Sequence, residues 1–341
     1  MLNNKIFIIA EAGVNHNGSL ELAKKLIDSA VEVNADAIKF QTWKKGELTG
    51  KFSTKVDYLK KNTSKKYSRY QISNLYRLTF NDFKKIKSYC KKKGIIFLTT
   101  PDGFESLRFV NKVLKLDIIK IGSTELNHLE FIKEAAKTNK KILLSTGMGN
   151  INEVKDAINL IKKYSKKKPI LLQCTSEYPT IYENINLNVL NTYKKKFKVD
   201  IGFSDHSKGF EAAMIAVAYG IKVIEKHFTL DKKMIGPDHK VSLNPKEFKN
   251  FINKIRCAEK IVGSSIKVPT NNEIKNINGI RRGIVASKNI SKGTMIKKNM
   301  LIAKRPFLEI GPNDFNKIIG RILKVHLKKD QPIKWSYLLD N

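Results

Sequence analysis

Two histidines carry the first chemical suggestion. His206 closes the run Val199-Asp200-Ile201-Gly202-Phe203-Ser204-Asp205-His206, and His227 lies near the end of Val223-Ile224-Glu225-Lys226-His227-Phe228. Short runs rich in β-branched and aromatic residues favour strands. If the two strands are parallel neighbours, their ends lie about 5 Å apart. Two imidazoles at that separation can close on one transition-metal ion. A lone histidine is more often a structural residue with its bonds satisfied; a pair on adjacent strand ends favours the metal.

Strands of this kind need a repeating frame. Apolar, β-branched runs recur at 6–11, 37–42, 95–100, 118–123, 141–146, 169–174, 199–205 and 223–228. Between several of them lie segments with helical spacing, such as Leu20 to Val33, Phe131 to Thr138, Val154 to Tyr164 and Phe210 to Tyr219. Eight strands alternating with helices predict an α/β fold, a closed (β/α)₈ TIM barrel over residues 1–262. An open doubly wound sheet is the alternative, but no G-x-G-x-x-G follows the first strand. In a barrel of this type, catalytic residues sit at the C-terminal strand ends. All eight ends here are polar, and together they read as a lined pocket. The stretch from Lys44 to Phe80, with Tyr58, Tyr67, Tyr70 and Tyr76, is long for a strand-to-helix connection. It is either a lid over the pocket or a helix with an irregular excursion. Residues 263–280 are polar and aperiodic and read as a linker. Residues 281–341, with short strands and turns, read as a small β-rich domain near the lower size limit for independent stability.

The chain has 341 residues, 41% of them hydrophobic, and a formal net charge of +34. Such a charge raises nucleic acid, an anionic surface or an anionic substrate as partner. Lysine supplies nearly all of it, in runs scattered along the length (Lys91-Lys92-Lys93, Lys166-Lys167-Lys168, Lys194-Lys195-Lys196). Backbone-binding proteins lean on arginine's bidentate fork. A basic nucleic-acid-binding protein is therefore kept only as the alternative from another class. Three cysteines, Cys90, Cys174 and Cys257, form no C-x-x-C pair and suit a reducing compartment. The apolar run from Ile6 to Ala10 is too short for a signal peptide, and no stretch is long enough to span a bilayer. A cytoplasmic protein without a membrane or nucleic-acid partner is expected.

The motifs in order resemble a known family. Glu11-Ala12-Gly13-Val14-Asn15-His16-Asn17-Gly18-Ser19 resembles the opening of the sialic acid synthases (the N-acetylneuraminate and legionaminate synthase type). Ile38-Lys39-Phe40-Gln41-Thr42, Ser145-Thr146-Gly147-Met148, and Cys174-Thr175-Ser176-Glu177-Tyr178-Pro179-Thr180 follow. The series ends with Gly202-Phe203-Ser204-Asp205-His206-Ser207, Ile224-Glu225-Lys226-His227-Phe228-Thr229, and Gly236-Pro237-Asp238-His239-Lys240. The last domain resembles the antifreeze-like (SAF) module of these enzymes, marked by Lys304-Arg305-Pro306. Each motif is weak alone; their order and spacing, covering nearly the whole chain, are specific.

The resemblance implies condensation of phosphoenolpyruvate (PEP) with an open-chain 2-acetamido sugar aldehyde, releasing phosphate. A divalent metal would polarise the aldehyde. The family metal is usually Mn²⁺, with Mg²⁺ or Co²⁺ possible, and His206 and His227 would hold it. By motif position Lys39, Thr100, Lys120, Ser123, Ser145 and Ser176 resemble the PEP contacts. The two lysines are the more telling, since strand interiors exclude charge. Gln41, Tyr178 and Asp238 resemble the sugar contacts. Glu11 and Glu125 are both candidates to move a proton, or either could orient the metal ligands. His16 and His239 support rather than form the site; His128 and His326 carry no motif and receive no role. Arg305 resembles the arginine that the SAF module presents to a partner subunit's sugar, which implies a domain-swapped homodimer.

The sequence departs from its relatives at two places. Gly122-Ser123-Thr124-Glu125 stands where many have Ser-Gly-Glu, and Phe307-Leu308-Glu309-Ile310-Gly311-Pro312 where glycines are frequent. Both bear on the sugar rather than the reaction. N-acetylmannosamine is the first expected substrate, and a 2,4-diacetamido-2,4,6-trideoxyhexose, giving legionaminic acid or a relative, is the alternative. A sugar-phosphate aldolase of related barrels would need an arginine pair for its second phosphate.

Overall fold

The computed structural model describes residues 5–339 and divides into two compact units, 1–263 and 264–341. The first is a (β/α)₈ barrel. Its strands are β1 (Phe7–Gly13), β2 (Ala37–Thr42), β3 (Ile96–Pro101), β4 (Ile118–Ile121), β5 (Lys141–Ser145), β6 (Ile170–Cys174), β7 (Asp200–Asp205) and β8 (Val223–His227). The paired strands are parallel and hydrogen bonded in the order β3-β2-β1-β8-β7-β6-β5-β4, and β3 lies beside β4 to close the ring. Helices follow the expected segments, among them Leu20–Glu32, Leu129–Lys137, Ile151–Tyr164 and Glu211–Ala218. Several begin on side-chain caps: Ser19 accepts from the Leu22 amide, and Asn150 with Glu153 and Asn244 with Glu247 form reciprocal capping boxes.

Strand alternation sorts the side chains into two layers. Ile8, Ala10, Ile38, Phe40, Ile119, Ile121, Ile201 and Ile224 face outward and form one apolar core with the helices. Phe7, Ile9, Ala37, Leu98, Ile118, Leu143, Ile170, Leu172 and Val223 form a second cluster that fills the barrel. On the same inward faces, two residues further along seven of the eight strands, the side chains turn polar: Glu11, Lys39, Thr100, Lys120, Ser145, Ser204 and Glu225, all buried. The apolar plug thus floors a charged layer at the C-terminal end.

The segment 44–80 contains two short helices, Asp57–Asn62 and Arg69–Leu75. Its ends are tied down by Trp43 Nε1 donating to the Ser73 carbonyl (3.0 Å) and Asn62 Nδ2 donating to the Pro237 carbonyl (3.1 Å).

The second unit has its own core, centred on Ile284, Ile296, Ile310, Ile318, Leu323 and Ile333. Antiparallel β9 (Gly283–Ala286) and β10 (Leu301–Lys304) and several isolated bridges surround it. The segment expected as a linker, 263–280, is not irregular throughout. It contains the helix Asn271–Ile280, with a Thr270–Glu273 capping box. Its isoleucines, Ile274, Ile277 and Ile280, recur at helical spacing but none is buried, and three widely spaced apolar residues among asparagines give only a faint period. It is joined to this unit by Phe307 N–H donating to the Asn278 carbonyl and Arg305 Nε donating to the Ile280 carbonyl (2.6 Å).

Candidate active site

The charged layer opens into a cavity of about 380 Å³ at the C-terminal face of the barrel. Glu11, Lys39, Gln41, Thr100, Lys120, Ser123, Ser145, Ser176, Tyr178, His206, His227 and Asp238 all line it. The structure therefore brings together all the site residues expected from the motifs except two. Arg305 belongs to the second unit. Glu125 does not line the cavity. β4 stops at Ile121, and the 3₁₀ turn Ser123–Glu125 breaks the strand alternation. Glu125 Oε2 instead meets His128 Nδ1 at 2.8 Å, which gives His128 a partner and leaves Glu11 as the one of the two carboxylates in the lining.

The floor is an ionic cluster. Lys39 Nζ lies 2.8 Å from Glu11 Oε2 and 3.6 Å from Glu225 Oε2, and donates to Thr100 Oγ1 at 3.0 Å. Lys120 Nζ lies 3.6 Å from Glu225 Oε1, which also accepts from Ser204 Oγ at 3.0 Å. No member of the cluster is more than 5% exposed. The two carboxyls are driven apart. Burial pushes Glu11 up to about 7 against the pull of Lys39, with the negative Glu225 adding to the rise. Glu225 suffers the same burial, but Lys120, Lys39 and the Ser204 hydrogen bond outweigh it and hold it at about 2. Such divergence marks one group able to exchange a proton at neutral pH and one fixed anion. Two lysines against one and a fraction of carboxylate leave a positive floor for an anionic ligand.

Above the floor lie the rings of His206 and His227, centroids 5.3 Å apart and planes tilted by 51°. His206 Nδ1–H donates to the Thr175 carbonyl at 2.8 Å, which leaves Nε2 with its lone pair. His227 Nδ1 is buried without a partner, and burial, with His206 opposite, keeps the ring neutral. Tyr178 packs against His206 (4.3 Å between centroids), and Tyr58 from the 44–80 segment packs on Tyr178 (5.0 Å). That segment also lends Val56, Leu59, Arg69, Ile72 and Tyr76 to the wall, so it covers the cavity as a lid. Among the described residues no three or more His, Cys, Asp or Glu side chains are grouped to hold a metal ion. Any ion between the imidazoles would take the rest of its ligands from water and substrate.

The glycine of the Ser145-Thr146-Gly147 motif has a steric reason. A Cβ at Gly147 would stand 2.5 Å from Ser176 Oγ and 2.9 Å from Ser123 Oγ, and the Gly147 N–H donates to Ser123 Oγ. The polar residues after β1 tie its loop to that of β8. Asn15 Nδ2 donates to the Phe228 carbonyl and Ser242 Oγ, and His239 bridges Thr229 Oγ1 and Asn17 Oδ1. His16 and His239 stay outside the cavity lining, as expected of supporting residues.

Several lining residues were not foreseen. Glu225 stands two positions before His227 and so shares its face; period-two alternation could have found it. Asp102, just past β3, is pushed up to about 8 by burial and by Glu125. Cys174 lies 3.8 Å from His206 Nδ1. Tyr58 and Arg69 arrive from the lid, whose fold no local pattern announces.

Paired imidazoles over a buried lysine–carboxylate layer, in the mouth of a closed parallel barrel, give the chain the fold and site placement of the TIM-barrel class. Residues 26–267 match the NeuB family model and residues 281–339 the SAF domain model, and the chain belongs to the NeuB family. It is 42% identical over 332 residues to the N,N'-diacetyllegionaminic acid synthase of Campylobacter jejuni, spanning 97% of this chain and 99% of that protein. The enzyme of the same name from Legionella pneumophila is 37% identical over 336 residues, 97% and 94% of the two chains. Among solved structures, the N-acetylneuraminic acid (sialic acid) synthetase of Leptospira borgpetersenii, in complex with citrate, matches with a TM-score of 0.72 at 33% identity, over 81% of this chain and 91% of that one.

Proposed function

We propose that the chain is a nonulosonic acid synthase, a transferase joining PEP to the open-chain aldehyde of a 2,4-diacetamido-2,4,6-trideoxyhexose. The observation that carries the reading is the buried Lys39–Glu11–Glu225–Lys120 layer directly beneath the paired imidazoles. In the reaction, C3 of PEP bonds to the aldehyde carbon, water adds at C2, and the C2–O bond to phosphate breaks. Lys39 and Lys120, with Thr100, Ser123, Ser145 and Ser176, bind the phosphate and carboxylate of PEP. Glu11 exchanges the proton, taking it from the attacking water or giving it to the new alkoxide. Gln41, Tyr178 and Asp238 orient the sugar, and the lid excludes water. His206 Nε2 and His227 would hold a divalent cation, Mn²⁺ first among them, which when bound supplies Lewis acidity toward the aldehyde oxygen.

Two observations support the sugar. The Campylobacter and Legionella relatives are both diacetyllegionaminic acid synthases. The cavity lining contains a single arginine, Arg69, rather than the pair a sugar phosphate would call for. N-acetylmannosamine is the second reading, favoured by the Leptospira synthetase. Phosphate release from PEP with a panel of sugars tests both. The diacetamido sugar is expected to exceed N-acetylmannosamine by about tenfold in kcat/KM. EDTA should abolish release and Mn²⁺ restore it. No release with any sugar in the presence of Mn²⁺ would sink the synthase reading, and the reverse preference would transfer it to N-acetylmannosamine.

Arg305 is proposed to complete the site of a second copy. Mixing an Arg305→Ala variant with a His206→Ala variant under subunit exchange should then restore activity. About a quarter of the wild-type rate is expected, the share of sites receiving both native residues in randomly mixed symmetric dimers. A mixture no more active than its components would remove Arg305 from the site.

A further inference from the structure

The outward faces of β7 and β8 carry a charge pair in an otherwise apolar layer of strand side chains. Asp205 and Lys226 are register partners across the two strands. Their side chains point away from the cavity, into the layer occupied by Ile201, Phe203, Ile224 and Phe228. Lys226 Nζ lies 2.7 Å from Asp205 Oδ2, and the two residues are 2% and 1% exposed. The other ion pair buried to this degree among the described residues, Lys39–Glu11, lies in the cavity. A third residue closes the arrangement. Asp205 Oδ1 accepts from the Ser207 N–H (2.8 Å) and Ser207 Oγ (2.6 Å), and Lys226 Nζ donates to the Ser207 carbonyl (2.5 Å).

His206 lies between Asp205 and Ser207, and His227 follows Lys226 directly. The clasp therefore holds the backbone on both sides of one imidazole and the residue before the other. An isolated ion pair in such a layer is commonly no more stable than a well-packed apolar pair. What it adds is direction: apolar side chains resist separation but tolerate small slides, whereas this set fixes one strand end against the other. We propose that Asp205 and Lys226 are positioning residues that set the spacing of His206 and His227 for a shared cation. The inference rests on the metal reading above.

Mn²⁺ binding to the full chain, followed by the electron paramagnetic resonance signal of the free ion, tests it. The double variant Asp205→Asn/Lys226→Met leaves no lone buried charge, and Ser207→Ala opens one arm while both charges stay paired. The double variant is expected to bind Mn²⁺ about tenfold or more weakly, in the range seen when residues behind metal ligands are removed. Its KM for PEP should stay near the wild-type value. Ser207→Ala should show a smaller loss in the same direction. Phe203→Leu, a packing change in the same layer, should lower Tm without changing Mn²⁺ affinity. A folded double variant with Mn²⁺ affinity within about twofold of wild type would overturn the proposal. If the double variant does not fold, unchanged affinity in Ser207→Ala overturns it. A wild-type chain that binds no Mn²⁺ defeats the metal reading itself, and this inference with it.

Discussion

Alanine at either His206 or His227 is expected to lower kcat/KM by about a thousandfold, because a cation's polarisation of a carbonyl supplies several kcal/mol and each 1.36 kcal/mol is a factor of ten. Excess Mn²⁺ should not rescue either variant, since in the proposed site the two histidines are the protein's ligands and loss of one leaves no chelate. The variants should differ in stability, however. His206 Nδ1 makes the shorter of two bonds to the Thr175 carbonyl, the other coming from Thr180 Oγ1 at 3.3 Å, so His206→Ala should cost about 0.5–1.5 kcal/mol, one net hydrogen bond. His227 Nδ1 is buried without a partner, so His227→Ala loses nothing comparable and removes an unsatisfied group. Both rings line an open cavity, so the space vacated can fill with water and the packing penalty is small. Steady-state rates with urea unfolding of both variants check this. Full activity in either would remove that residue from the metal site. Equal stability losses would show that the Thr175 bond contributes little.

How much of this was legible beforehand follows from periodicity. A parallel barrel repeats one local pattern eight times, and each repeat carries its own apolar run, so the strands were readable. Lys39 and Lys120 stood out because a charge inside such a run has few structural explanations. Glu225 met the same criterion but was passed over beside the more conspicuous His227. Glu125 lies outside the lining for a local reason: the strand was expected to reach residue 123, whereas it ends at Ile121 and the Glu125 carboxylate in the turn that follows meets His128. The 44–80 stretch, with Tyr58, could be read only as either a lid or an irregular excursion, and Arg69 was not singled out, because a long insertion has no period linking it to the frame beside it. The helix Asn271–Ile280 escaped because its only apolar residues, Ile274, Ile277 and Ile280, are few, set among asparagines and unburied, so the period they trace is short and easily missed. Local alternation thus disclosed the floor of the site, while its walls and lid required tertiary structure.

Lys39→Met is expected to have the second large effect, on both function and stability. Methionine keeps the aliphatic stem but leaves Glu11 and Glu225 buried without their shared cation. Removing one partner of a buried pair costs about 3–5 kcal/mol, and losing the cationic contact to PEP proposed above should lower kcat/KM by about 10²–10³. The stability loss should depend on pH in a definite direction. In the wild type, burial raises Glu11 from its ordinary 4.5 to about 7 in the folded state. A carboxyl with a raised folded pKa contributes its full share of stability below 4.5 and loses it as pH rises through about 7. Lys39 opposes that rise, so its removal moves the folded pKa of Glu11 further upward and extends the window of loss. At pH 5.5 Glu11 is protonated in both folded proteins, and the difference between them reflects mainly Glu225, still faced by Lys120 and Ser204. At pH 8.5 the wild type carries Glu11 as an anion paired with Lys39, whereas the variant must either keep the acid protonated against solvent pH or bury an unpaired charge. The gap in unfolding free energy should therefore widen from pH 5.5 to 8.5. Urea titrations at the two pH values measure it. An equal gap at both would mean that Glu11 is not the group Lys39 compensates, and an unchanged KM for PEP would separate the lysine from the anion site.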